Sequence, residues 1–299
     1  MLEHVPCNLC GADDYAVVYP STVDEYTLAD VDLYRQSDPN NLSCRIVKCR
    51  RCGLVYANPR ESAALLAELC RDVEDNVYLE QRPAKEASYR WNVARLERYV
   101  RGGAVVDVGC GHGFFLHLLD GARWRERVGL EPAQAVARYA RERLGLDVRP
   151  AFLAENDLPP GHWDAVTMFH VLEHVADPRR DLRAAYDLLK TGGYLYVEFP
   201  DIASVLARWR KRRWWYIMRF HTYYFSRRTA CRLLAEAGFT PVDVHQPVKT
   251  WTLGYLAHKL RAYGNYFRFV EPLARALRLA DLPVHLNPHD ILGVIARKD

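Results

Sequence analysis

Two cysteine pairs and one stretch rich in imidazole and carboxylate are the parts of this chain best suited to chemistry. Cys7 and Cys10 are followed by Gly11, and Cys49 and Cys52 repeat the arrangement with Gly53. A Cys-x-x-Cys-Gly turn aims both sulfurs at one point, so two such knuckles bring four thiolates to one tetrahedral centre. The set contains no histidine and leaves no coordination place for water, so the expected metal is a structural zinc on Cys7, Cys10, Cys49 and Cys52. A redox Cys-x-x-Cys and chance spacing in a reduced chain are the other readings. His170, Glu173 and His174 crowd three titratable groups into one short segment, enough for a general base or a hard metal ion.

A third stretch is suited to holding a ligand. Val105, Val106 and Val108, interrupted by Asp107, read as a short buried strand, and Gly109, Gly111 and Gly113 then turn tightly into the amphipathic run 114–119. Glycine is needed where a Cβ would block the turn or keep a ligand from the backbone N–H groups at a helix start. A second short strand, Arg127 to Glu131, ends on an acid and is stopped by Pro132. An acid placed roughly twenty residues after such a turn holds a ribose diol in doubly wound sheets. The spacing is Gly-x-Gly-x-Gly with an acid ahead of it, not the Gly-x-Gly-x-x-Gly of nicotinamide dinucleotide sites. A purely structural turn is the remaining alternative.

These groups need a sheet to position them. Apolar runs predict strands at 147–152, 164–169, 194–199, 241–246 and 290–297, alternating with helices at 133–144, 179–189 and 227–237, the last capped by Ser226 and ended by Gly238. Ligands of open α/β sheets bind beyond the carboxyl ends of the strands, so the glycine turn and the segment from His170 to Pro178 should face one crevice. Residues 1–59 carry short strand patterns around a polar insertion, Asp24 to Asn41, with too few apolar side chains for a core of their own; the metal is expected to hold them together. Residues 60–100 form a helical connector, with helices at 61–70 and 89–100, a break at Pro83, and Tyr78, Arg82 and Tyr89 between them. Arg208 to Tyr216 is basic and aromatic: a lid over an anionic acceptor within 203–225, a membrane or nucleic-acid patch, or solvated arginines. A helical insertion at 252–282 carries Tyr255, Tyr263, Tyr266, Phe267 and Phe269, a stripe suited to a core or a homodimer surface.

The 299 residues allow one large domain and a small one, and hydrophobic content of 49% supports a real core. No apolar run approaches a membrane span and the first residues lack a secretory pattern, so a cytoplasmic location is expected. A net charge of +4 favours an acidic small molecule slightly and argues little for nucleic acid.

The stretch Val105 to Gly113 closely resembles motif I of class I S-adenosylmethionine-dependent methyltransferases. That resemblance implies an α/β, doubly wound, seven-stranded and mostly parallel Rossmann-like sheet at 101–299, here behind a small N-terminal zinc ribbon. It implies that the loop of Gly109, Gly111 and Gly113 lies along the amino-acid end of the cofactor, that Asp107 faces its ammonium directly or through water, and that Glu131 and Pro132 flank its ribose. The loop after the third strand then holds the adenine through Asn156 or Asp157, and His170 touches the cofactor. The knuckle and tail at 47–59 resemble the zinc-binding segment ahead of a subset known for C-methylation of nucleotide-linked sugars. His221 to Ser226 resembles that subset's His-x-x-Tyr-Phe-Ser segment, which makes His221 and Tyr224 candidates for proton handling beside His174 and Glu173. In ubiquinone-biosynthesis O-methyltransferases a comparable Glu-x-x-Glu-His set binds a divalent ion such as magnesium; here His170 stands where the first Glu would be. The expected acceptor is a small hydroxylated molecule, anionic or sugar-like, with a saccharide or nucleotide-linked sugar first and O-methylation ahead of C-methylation. A non-catalytic binding module and a nucleic-acid methylase are the rival functions.

Overall fold

The structure is a computed structural model, and it describes residues 2–22, 43–71, 79, 81–261 and 269–299. The insertion at Asp24 to Asn41, Tyr78, and Tyr263, Tyr266 and Phe267 of the helical insertion lie outside the described residues.

The N-terminal part contains β1 (Leu2–Glu3), β2 (Tyr15–Tyr19), β3 (Ile46–Cys49), β4 (Val55–Ala57), β5 (Arg60–Glu61) and α1 (Ala63–Arg71). The helix α2 (Arg82–Leu96) then leads into the large sheet. Pro83 does not break this helix but opens it, since proline is tolerated in a first turn whose N–H groups have no partner.

Seven strands form the large sheet: β6 (Gly103–Val108), β7 (Trp124–Leu130), β8 (Asp147–Arg149), β9 (Trp163–Phe169), β10 (Leu189–Pro200), β12 (Phe239–His245) and β15 (Ile291–Lys298). Their order is β12-β15-β10-β9-β6-β7-β8, with β15 antiparallel to both neighbours and the pairs from β10 to β8 parallel. The valine-rich β6 and the largely apolar β9 sit at the centre and are buried along nearly their whole length, as expected for parallel strands covered on both faces. Between them run α3 (Phe114–Leu118), α4 (Gln134–Leu144), α5 (Pro178–Leu188), α6 (Val205–Arg210) and α7 (Arg227–Glu236). Ser226 caps α7 as its sequence predicts, accepting from the Thr229 N–H. A hairpin of β13 (Lys249–Thr252) and β14 (Pro283–Leu286) encloses α8 (Leu253–Arg261) and α9 (Val270–Ala276).

The N-terminal strands do not stand apart. Strand β11 (Tyr223–Tyr224) pairs antiparallel with β4, completing a four-stranded sheet of order β11-β4-β3-β2. Leu9, Val47, Leu54 and Tyr56 join Val106, Met168 and Phe199 in one buried cluster. A segment with too few apolar residues of its own thus shares the core of the large sheet, in addition to any metal.

Candidate active site

Both cysteine knuckles close in the same way. The Gly11 N–H donates to Cys7 O at 2.8 Å and the Gly53 N–H to Cys49 O at 3.0 Å, with both glycines at positive φ. All eight cysteines are free thiols. Cys7 Sγ lies 3.4 Å from Cys52 Sγ and Cys10 Sγ 3.5 Å from Cys49 Sγ, and the four sulfurs fall within 4.8 Å of one another. A tetrahedral zinc with bonds of about 2.3 Å spaces its sulfurs at about 3.8 Å, so this donor set fits the ion.

A cleft of about 1050 Å³ opens at the carboxyl ends of β6, β7 and β9 and beside the loop after β8. The glycine turn enters it through Gly109 and Gly111. Gly111 has φ +53° and nothing within 4 Å of a Cβ built there, whereas a Cβ on Gly113 would come 2.6 Å from Leu146 and 3.2 Å from Ala140. Gly111 therefore keeps the cleft open, and Gly113 lets the turn pack against α4. Glu131, buried at 9% exposure, accepts from the Gly111 N–H through Oε2 and from the Ala133 N–H through Oε1, each at 2.9 Å. Burial raises its pKa while the two backbone N–H groups oppose the shift. Each carboxylate oxygen keeps lone-pair capacity for a hydroxyl. Pro132 lines the cleft beside it.

Besides Gly113, three expected cofactor residues sit outside the cleft lining. Asp107 is buried beneath the turn and does not line the cleft; it accepts from the Thr167 hydroxyl at 2.6 Å, and burial pushes it up to about 7. Asn156 folds back, its amide donating to Leu153 O and its oxygen accepting from the Leu158 N–H, and Asp157 pairs with Arg149 on the surface. The short loop after β8 turns both outward, and Phe152 to Glu155 line the cleft in their place.

Beyond β9 the chain turns sharply. His170 has φ +58°, a left-handed conformation that costs a non-glycine residue of order 1 kcal/mol. Its N–H donates to Glu198 O at 2.8 Å, and Nδ1 lies 3.1 Å from Glu173 Oε1. Enclosure, then the charges of Lys249 and Lys85, hold His170 well below the usual imidazole range. Glu173 is 1% exposed and burial pushes it up to about 8. His174 lines the cleft; Nδ1 donates to Phe220 O at 3.0 Å, so Nε2 carries the lone pair, and burial lowers the group to about 4. His221 stands behind it, 4% exposed, its ring 4.6 Å from that of His174. Glu173, His174 and His221 hold donor atoms within 4.8 Å of one another. Magnesium takes hard oxygen ligands, and one carboxylate between two imidazoles is a poor match to it.

Tyr224 does not reach the cleft. Neighbouring residues of a strand point to opposite faces, and on β11 the inward place goes to Tyr223. Tyr224 packs with Ile46, Val55 and Trp214, and its hydroxyl donates to Met218 O at 3.2 Å. The basic stretch 208–213 lines no part of the cleft either; Trp214 is buried and donates to Asp290, while Tyr216 faces inward. Cations do line it, from Arg60, Lys85, Arg180 and Lys249. None of these carried a sequence signal, since each lies outside the motifs and reaches the cleft only through the fold.

The sequence matches the family model described as a methyltransferase domain over residues 78–244. The chain belongs to the methyltransferase-domain family. Among curated proteins it is similar to an S-adenosylmethionine-dependent methyltransferase of Mycolicibacterium smegmatis, 29% identical over 50% of this chain and 56% of the other. It also matches a ubiquinone biosynthesis O-methyltransferase of Chromobacterium violaceum, 34% identical over 32% of this chain and 44% of the other. The chain thus spans about half the length of the curated relatives it matches. Among solved structures, an S-adenosylmethionine-dependent methyltransferase of Thermotoga maritima shares the fold with a TM-score of 0.51 at 22% identity, covering 75% of this chain and 95% of the other. The fold of this family member is therefore that of the class I methyltransferases. Among its described residues, no helix is long and apolar enough to cross a membrane.

Proposed function

We propose that the protein transfers a methyl group from S-adenosylmethionine to a hydroxyl of a small acceptor, with a saccharide or nucleotide-linked sugar as first choice and C-methylation as the alternative outcome. The carrying observation is the single cleft in which Gly111, Glu131 and His174 meet. Glu131 holds the ribose, the Gly109 to Gly111 turn accommodates the amino-acid end, Phe152 to Glu155 flank the adenine, and Asp107 acts through the turn above it. The sulfonium, when bound, supplies an electrophilic methyl group and a neutral leaving thioether. The protein's own share is alignment and exclusion of water. His174 accepts the acceptor's proton at Nε2, because Nδ1 is committed to Phe220 O. Phe220 O and the His221 ring behind it position that imidazole, while Glu173 holds the neighbouring His170. Asn8, Arg60, Asp177 and Arg180 extend the cleft with hydrogen-bonding groups suited to a polar acceptor. The N-terminal segment, 1–59, is read as a structural zinc ribbon on Cys7, Cys10, Cys49 and Cys52 that carries Asn8 to the cleft wall.

Incubation with methyl-labelled S-adenosylmethionine and a metabolite extract tests this reading. A labelled small hydroxylated product, lost in Glu131→Gln, is the expected result; label confined to nucleic acid or protein would overturn the acceptor class.

A further inference from the structure

A chain of polar groups, buried at Tyr196 and Glu198 and half-buried at Arg95, Asp243, His245 and Lys249, runs across the sheet to the cleft and ends on an ammonium. Arg95 of α2 clasps Asp243 of β12 with two hydrogen bonds, at 2.6 and 2.7 Å. Asp243 also lies 3.4 Å from His245 Nδ1. His245 Nε2 is 2.9 Å from the Tyr196 hydroxyl, which donates to Glu198 Oε1 at 3.0 Å. Lys249 Nζ donates to the other oxygen, Oε2, at 2.6 Å. Glu198 is wholly buried, and it sits in register with Phe169, the last residue of β9, at the level where His170 turns into the cleft.

A buried ion pair contributes little to stability compared with apolar side chains of the same size, so folding alone gives weak grounds for this one. Its geometry suits presentation. An ammonium has three donors. Glu198 takes one, no second hydrogen bond of Nζ occurs among the described residues, and Lys249 lines the cleft. The strand that carries it is pinned to α2, where the Thr250 N–H donates to Ser88 Oγ at 2.8 Å. Lys85 of α2 brings a second ammonium to the same end, and the charges of both lysines act on His170. The surrounding walls are Tyr89, Tyr216 and Trp251.

We propose that Lys249 is an acceptor-binding residue that takes an anionic oxygen, a carboxylate or a phosphate, on the molecule to be methylated. Glu198 and Tyr196 are positioning residues that hold the ammonium at the mouth of β10. This assignment rests on the cleft being a methyltransferase site and narrows its acceptor to an anion.

The test uses the full chain saturated with S-adenosylhomocysteine and titrates two matched pairs of probes by calorimetry. One pair is 3,4-dihydroxybenzoate and 3,4-dihydroxybenzamide; the other is glucose 1-phosphate and glucose. Loss of Lys249 alone would strand a buried carboxylate, so the double variant Lys249→Met with Glu198→Gln is used beside Lys249→Arg. The anion of at least one pair should bind the unaltered protein about tenfold more tightly than its neutral partner, as a charge-assisted hydrogen bond allows. The pair that shows the preference identifies carboxylate or phosphate. The double variant should reduce the preference to within about twofold and Lys249→Arg should retain it, as expected for a charge-assisted contact. No preference in the unaltered protein, or a preference that survives in the double variant while S-adenosylhomocysteine still binds, would overturn the assignment. Failure of the unaltered protein to bind S-adenosylhomocysteine would instead remove the methyltransferase reading beneath it.

Discussion

Gly111 and Glu131 are joined by a hydrogen bond of 2.9 Å from the glycine N–H to Oε2, which ties the turn after β6 to the tip of β7. The same carboxylate accepts from the Ala133 N–H, so one side chain fixes the start of α4 and the floor of the cleft together. Glu131→Gln replaces an acceptor-only group with one that must also donate, beside two backbone donors. It should weaken S-adenosylhomocysteine binding by about 10- to 100-fold, the scale of a hydrogen bond to a charged group. Calorimetry checks this, and an unchanged affinity would remove Glu131 from the ribose contact.

Two glycines of one turn should respond differently to alanine. At Gly113 the new Cβ meets Leu146 and Ala140, and at Gly111 it meets only open cleft; both positions have positive φ. Gly113→Ala should lower the thermal midpoint more. Gly111→Ala should cost about 1 kcal/mol of strain but impair cofactor binding more. Thermal denaturation paired with S-adenosylhomocysteine titration separates the two effects, and identical behaviour would count against this division of roles.

The four thiols should hold one zinc per chain. Cys52→Ser should lose the metal in a colorimetric release assay. Because β4 pairs with β11, the damage should spread beyond the knuckles, and a loss of about 3–5 kcal/mol would lower the midpoint by roughly 10 °C. Full stability in metal-free protein would show that the shared core alone holds the segment.

Burial pushes Asp107 up to about 7 and Glu173 up to about 8. In the unfolded chain such carboxyls titrate near pH 4, so between about 4 and 7–8 the folded state binds more protons than the unfolded. The stability they contribute is complete below that window and is lost as pH rises through it. Asp107→Asn keeps an acceptor for Thr167 without the charge, and should be more stable than the parent at pH 8 by on the order of 1–3 kcal/mol, with the difference shrinking towards pH 5. Denaturant melts of both proteins across this range check the sign; a gap that widens towards acid would contradict it.

The parts of the fold written in local patterns were legible in the sequence. The valines of β6, the glycine turn, the acid ending β7 and the two cysteine knuckles are each set by neighbours a few residues apart. What escaped depends on which way a short element faces. A two-residue strand decides between Tyr223 and Tyr224, and the loop after β8 decides whether Asn156 and Asp157 point in or out. The cleft's cations were hidden for a related reason, because Arg60 and Lys249 are far apart in the chain and come to line one cleft only through the fold.

The central claim is that the crevice above Gly111 and Glu131 receives the sulfonium cofactor. Calorimetric titration of the purified chain with S-adenosylhomocysteine, run beside NAD, tests it most directly. One binding event per chain with S-adenosylhomocysteine and none with NAD is the predicted result; binding of NAD, or of neither molecule, would contradict it.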